Sequence, residues 1–222
     1  MVRLLFLVLG NYSMKRELTI GILGAGKLGT TLGRLFIKAG YPVLISGSKN
    51  VQDIALTIEV LVPNAVPLLN HEVAQRADII ILALPLGKYK TIPSEYLDNK
   101  LVIDAMNYWW EVDGLERIPS DPNLTSSEMI QDFLPNSVVL KAFNHMGYHD
   151  LEGESFSEVP KVIAYSGNNE DHKDTVKELI ESIGFKPLDL GTLENGRVLE
   201  PGSPLFGANL PEKEFTGLLK TF

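Results

Sequence analysis

Apolar and polar positions along this chain follow two alternating periods. Leu18 to Leu23 reads LTIGIL, a short apolar run that leads into Gly24-Ala25-Gly26-Lys27-Leu28-Gly29. Leu28, Leu32, Leu35, Phe36 and Ala39 then recur at helical spacing until Gly40 closes the helix. The same strand-then-helix rhythm repeats. Tyr41–Ile45 reads as a second strand, Val51–Val60 as a helix stopped by Pro63, Ala65–Leu69 as a third strand and His71–Arg76 as a brief helix. Asp78–Leu84 is a continuous apolar run, the mark of a strand buried on both faces of a parallel sheet, and Pro85 ends it. Leu101–Ala105 and Ser137–Phe143 are the fifth and sixth strands, with a helix at Ser126–Phe133 between them. Later come a strand at Val162–Tyr165, a helix at Glu170–Ile183 ended by Gly184, and a strand at Phe185–Leu190. A last helical stretch begins near Glu194 and is interrupted at Pro201 and Pro204.

This alternation predicts an α/β fold: a Rossmann-type, doubly wound, mostly parallel sheet with right-handed crossovers and a short C-terminal α/β extension. Residues 1–17 read as an appendage plus strand lead-in, 18–145 as the dinucleotide-binding unit, and 146–222 as an extension packed on the same sheet. No linker separates two independently folding domains.

The glycine turn carries the first chemistry. A GxGxxG placed between a strand and a helix has a mechanism: Gly24 allows the tight turn, Gly26 lets the backbone approach a pyrophosphate, and Gly29 lets helix and strand pack closely. Lys27 and Leu28 stand at the helix start, where free N–H groups and the positive end of the dipole face the phosphates. The end of the second strand then selects the cofactor. An NAD site places Asp or Glu there for the ribose 2′-hydroxyl. Here the turn is Ser46-Gly47-Ser48-Lys49-Asn50, whose hydroxyls, backbone N–H groups and lysine suit a 2′-phosphate. The nearest acid, Asp53, falls in the following helix. The expectation is NADP, with Leu84 and Pro85 at the end of the fourth strand where its phosphates and nicotinamide ribose cross the sheet.

Composition removes other classes. The chain has 222 residues, 45% hydrophobic and 22% charged, with a net charge of −8 and no cysteine. That is a globular composition. With no basic cluster, nucleic acid is not an expected partner. Absent cysteine excludes disulfides, thiolate nucleophiles and cysteine-ligated metal, and fits a cytoplasmic location. The apolar run Leu4–Leu9 is too short to span a bilayer and lacks the cleavage site of a signal peptide, so no membrane association is expected. Residues 1–13 read as an appendage preceding a second Met at position 14, or as an extra strand or packing arm.

Two polar–aromatic clusters follow strand ends on the functional edge: Asn107-Tyr108-Trp109-Trp110 and Asn144-His145-Met146-Gly147-Tyr148-His149. Adjacent tryptophans on an extended segment cannot both enter one core, so one is expected to be partly exposed, against a planar ligand or in an interface. His145 is the candidate catalytic residue, as a proton donor or a cofactor contact; a structural histidine is the competing reading. Little chain remains after His145 for the long helical domain that closes the substrate pocket in hydroxyacid, imine and pyrroline-carboxylate enzymes. A flat, partly exposed small-molecule hydride acceptor needs less enclosure.

At this point GILGAGKLGTTLGRLF, the ISGSK turn, IIILALP, VVLKAFNHMGYHDL and the tail YSGNNEDHKDTVKELIESIGFKPLDLG together resemble the F420-dependent NADP oxidoreductases, over residues 18–200. The resemblance implies NADP held by Gly24–Gly29 with its 2′-phosphate at Ser48 and Lys49. It implies coenzyme F420, a deazaflavin, as co-substrate stacked near Pro85, Asn107 and Asn144–Met146. It further implies direct hydride transfer without an obligatory protein acid or base, and a homodimer. Typical members carry Arg where this chain has Lys49 and Asn50, and Lys offers a point charge rather than a bidentate fork. The MNYWWEVDG segment reads as a subgroup feature bearing on the acceptor. Two other readings stay open: a non-catalytic NADP-binding regulator, and a reductase of a small carbonyl or imine.

Overall fold

The computed structural model describes residues 18–47, 50–116 and 119–221. The expectations for residues 1–17 and for Ser48 and Lys49 fall outside them.

The apolar runs at the centre of the sheet become strands that are buried along their length. β1 (Ile20–Leu23) is fully buried and lies between β2 (Val43–Ser46) and β4 (Ile79–Leu82), parallel to both. β3 (Val66–Pro67) adds to β2, β5 (Leu101–Asp104) to β4, and β6 (Val138–Lys141) to β5, all parallel. β7 (Val162–Gly167) pairs with β6 antiparallel through only two residue pairs, and β8 (Lys186–Asp189) runs parallel to β7. Among the described residues the order is β3-β2-β1-β4-β5-β6-β7-β8. This is the doubly wound α/β fold, with strand order reversing between β1 and β4.

Alternation along each strand sorts side chains onto two faces. Ile20 and Ile22, Ile79 and Ile81, and Leu101 and Ile103 meet α1 (Lys27–Lys38), α2 (Val51–Leu61) and α7 (Glu170–Ser182) in one core. Leu23, Ile80, Leu82, Val102 and Val139 meet α3 (Asn70–Arg76) and α5 (Ser126–Phe133) in the other. A third cluster forms where Val162 and Ala164 of β7 are covered by Leu199, Leu205 and Phe215 of α8 (Glu212–Leu219).

Several elements depart from expectation. The expected final helix is a 3₁₀ turn at Leu193–Leu199, then turns through the two prolines, with α8 starting only after Pro211. Two short helices were not foreseen: α4 (Trp110–Asp113) and α6 (Tyr148–Glu154). A 3₁₀ helix at Leu86–Thr91 also fills the stretch after Pro85.

Candidate functional site

The turn after β1 is held by close backbone approaches. Gly24 has φ +126, a region L side chains rarely adopt, and a Cβ there would lie 2.3 Å from the Ala83 carbonyl oxygen. Its N–H donates to the Ser46 carbonyl at 2.9 Å, tying the turn to the end of β2. A Cβ on Gly29 would fall 1.9 Å from the Gly24 carbonyl oxygen, so helix and turn meet backbone to backbone. Gly26 is different: nothing lies within 4 Å of where its Cβ would be. It caps α1 with no side-chain hydrogen bond, and α1 has no acid in its first turn. The first N–H groups of that helix therefore have no intrahelical or capping partner.

A cleft of about 410 Å³ opens at this point, where strand order reverses. Gly24, Ala25 and Gly26 form one wall; Ala83, Leu84 and Pro85 at the end of β4 form another. Four of the expected cofactor residues, Gly24, Gly26, Leu84 and Pro85, thus share one cavity. Gly29 lies beneath the turn. Leu28 directs its side chain against the first core, leaving only its backbone for a ligand. Lys27 is exposed, and its ammonium stands 5.3 Å from the centroid of the Tyr148 ring. Ser46 is buried, and its Oγ has no hydrogen-bond partner.

Much of the rest of the cleft comes from residues that the sequence pattern did not assign to the cofactor. Asp53, Ile54 and Thr57 face it from α2, Asn70 from the start of α3, and Lys88 and Thr91 from the 3₁₀ helix. Asp53 does sit in the helix after the turn, but it faces the cavity. The available signal was spacing: Asp53 and Thr57 are one helical turn apart, and Lys88 and Thr91 share a face between Pro85 and Pro93.

Asn107 and Asn144 do not line this cleft; they pair with each other further along the strand ends. Asn107 Nδ2 donates to the Asn144 carbonyl at 2.8 Å, and Asn144 Nδ2 donates to Asn107 Oδ1 at 3.0 Å. Nearby, Trp109 and Trp110 are both exposed, at 45% and 58%, where partial exposure of one was expected. Trp109 meets Phe206 edge to face at 5.6 Å. Asp113 holds this segment in place: its carboxylate accepts the Trp109 and Gly87 N–H groups, both at 2.8 Å. The tryptophan segment is thereby fixed to the helix that carries Lys88 and Thr91.

His145 does not line the cleft. Its ring is 1% exposed, Nε2 accepts the Ala164 N–H at 3.0 Å, and Phe215 packs against it at 5.6 Å. The ring is buried and directed at β7, an enclosure that does not suit a proton donor to a substrate in the cleft. Burial lowers its pKa from 6.5 to about 4. Between those values the unfolded chain binds a proton that the folded chain does not, so stability rises with pH. The expected contribution of about 3 kcal/mol is complete above the unfolded pKa and is lost as pH falls toward the folded one. Urea unfolding of the wild type and His145→Gln from about pH 7 to about pH 4 tests this. Parallel pH slopes for the two proteins would show that His145 contributes nothing.

Comparison with known proteins bears on this site. The family described as "NADP oxidoreductase coenzyme F420-dependent" matches residues 19–108, which include the glycine turn and the β4 end. The F420-dependent NADP reductase of Methanocaldococcus jannaschii is 31% identical over 152 residues, 65% of this chain and 67% of that protein. The chain belongs to the F420-dependent NADP oxidoreductase family. Human metalloreductase STEAP2 is 28% identical over 204 residues, 90% of this chain but 37% of that protein. The chain spans little more than a third of the metalloreductases it matches. Among solved structures, protein SMa0349 of Sinorhizobium meliloti superimposes with a TM-score of 0.79 at 29% identity, covering 88% of this chain and 96% of that one. Among the described residues of this family member, no helix is long and apolar enough to cross a membrane.

Proposed function

We propose that this chain is an NADP-dependent oxidoreductase that passes hydride between NADPH and a planar acceptor, coenzyme F420 or a flavin-like ring. The observation that carries the reading is the cleft at the strand reversal, which runs from the uncapped start of α1 at Gly26 to Leu84 and Pro85. Its residues fit a dinucleotide. Gly26 leaves room for phosphate oxygens, and the free N–H groups of the first turn can donate to them. Ser46, whose buried Oγ has no partner, is next to Gly47 of the lining but does not itself line the cleft. Ser48 and Lys49 are the candidates for the 2′-phosphate.

NADPH supplies the hydride when bound; the chain's own residues hold and orient the two rings. Asn107 is the half-buried polar group at the strand ends, and the exposed rings of Trp109 and Trp110 suit a flat acceptor. Reduction of a small carbonyl or imine calls for a proton donor beside the acceptor, and His145 is enclosed elsewhere. Hydride exchange between two rings asks the protein only for alignment and exclusion of water, which favours the first reading.

The test is a fluorescence titration with NADPH and NADH, followed by turnover with F420, riboflavin and a quinone. NADPH is expected to bind at least about tenfold more tightly than NADH, the equivalent of one charge-assisted contact to the 2′-phosphate. NADH binding as tightly as NADPH would overturn the cofactor assignment. Tight NADPH binding without turnover on any acceptor would favour the regulator instead.

A further inference from the structure

β5 and β6 end on opposite charges. Asp104 is the last residue of β5 and Lys141 the last of β6, and they are register partners in the parallel ladder. Both are fully buried, with Nζ 3.2 Å from Oδ2. A buried pair is costly unless the remaining donors and acceptors are filled, and here they are. The ammonium has three donors, which go to Asp104 Oδ2, the Met106 carbonyl at 2.8 Å and Ser126 Oγ at 3.0 Å. Asp104 also accepts the Ser127 hydroxyl at 2.6 Å and the Met106 N–H at 2.9 Å. Ser126 in turn donates its hydroxyl and its N–H to Glu200 Oε1, at 2.7 and 2.6 Å.

This network fixes three backbone segments at once, and the asparagine pair hangs from all three. Met106, gripped at both its N–H and its carbonyl, precedes Asn107. Lys141 lies three residues before Asn144 on the same strand exit. Glu200 follows Leu199, whose carbonyl accepts Asn144 Nδ2 at 2.7 Å. Asn144 is thus locked between Leu199 and Asn107, and of the two asparagines Asn107 is the half-exposed one.

We infer that the Asp104–Lys141 pair is a positioning element of the hydride-transfer site: through Met106, Glu200 and Asn144 it sets Asn107 against the nicotinamide end of the cofactor. This rests on the proposed function, because it takes the strand ends beyond Pro85 as the nicotinamide side. Asn107 is the contact residue; Asp104, Lys141 and Asn144 act through it.

The test separates the two ends of the dinucleotide. NADPH reads the whole site, and adenosine 2′,5′-bisphosphate reads only the adenosine end. D104N/K141M removes both charges together and leaves no charge unpaired; Asn107→Ala removes the contact itself. Each is measured by titration with both probes and by thermal unfolding. In both variants NADPH affinity is expected to fall about tenfold, with the bisphosphate unchanged within about twofold. If Asn107→Ala weakens NADPH selectively and the paired variant does not, the inference falls and the functional reading stands. If Asn107→Ala spares NADPH, the nicotinamide lies elsewhere and both fall. Equal loss of both probes in the paired variant would mark a purely structural role and overturn the inference. Should that variant not fold, Glu200→Gln is milder: a selective NADPH loss of about two- to threefold supports the positioning role, and unchanged binding of both probes rejects it.

Discussion

Gly29→Ala is expected to cost more than about 3 kcal/mol of stability, while Gly26→Ala folds normally and loses the dinucleotide. The two glycines belong to one turn but are required for different reasons. At Gly29 the new methyl would stand 1.9 Å from the Gly24 carbonyl oxygen and 3.1 Å from its carbon. Those are backbone atoms, so no rotamer change relieves the clash; the β1–α1 turn itself must move. Alanine's better helix propensity returns only about 1 kcal/mol. At Gly26 the backbone has φ −80 and ψ −170, open to any L residue, and nothing lies within 4 Å of the added carbon. The methyl instead projects toward the space where a pyrophosphate would approach. NADPH affinity is expected to drop about tenfold to a hundredfold with the unfolding temperature unchanged. Denaturant unfolding and NADPH titration of both variants give the comparison. Wild-type binding by Gly26→Ala would mean that the phosphates do not cross this turn.

That contrast marks how far the sequence can be read. The fold was legible because its signals are local. β4 is IIIL, too apolar for a strand with a wet face, and it is buried throughout. α5 spans Ser126–Phe133 as expected, since Thr125 and Glu128 close a capping box at its start. What failed depends on distant groups. α4 follows a bend that Asp113 holds by reaching back to Gly87, 26 residues away. Strand direction leaves no mark in periodicity, so the reversal of β7 against β6 could not be foreseen. The expected final helix broke into turns where proline removed a donor, as between Pro201 and Pro211.

The candidate site divides the same way. The glycine turn and Leu84–Pro85 are contiguous motifs, and they meet in one cleft. The rest of the lining is assembled from α2, α3 and the 3₁₀ helix, each contributing one to three side chains that mean nothing alone. His145 stood in a polar–aromatic cluster on the functional edge, which is where a proton donor belongs. Its side chain nonetheless turns into β7, because Ala164 offers an N–H and Phe215 closes over the ring. Burial of that kind is decided by residues 19 and more positions away. Asp104 and Lys141 likewise read as the polar ends of two strands; only the parallel register makes them partners.

Lys141→Met alone is expected to destabilise the fold by about 3 to 5 kcal/mol, and adding Asp104→Asn to recover a large part of that loss. Methionine fills nearly the volume of the lysine stem, so packing beside Gly196, where an added Cβ would lie 3.4 Å from the lysine Cβ and Cγ, is retained. What the single change leaves behind is a fully buried carboxylate without its counter-charge. Ser127 and the Met106 N–H still donate to it, but they are neutral and cannot offset its lost solvation. Asparagine at 104 removes that charge while its oxygen keeps an acceptor for one of those donors. The cycle is closed by urea unfolding of the wild type, both single variants and the pair. A coupling energy of at least about 2 kcal/mol is expected, because the partners touch and share Ser126 and Met106. Additive losses would show that each group is held by its neutral neighbours rather than by the other charge. The network would then be three separate hydrogen-bonded turns instead of one unit. A coupled pair at this position stiffens the exits of β5 and β6 together, and it is the joint exit of those two strands that sets the distance between Asn107 and Asn144.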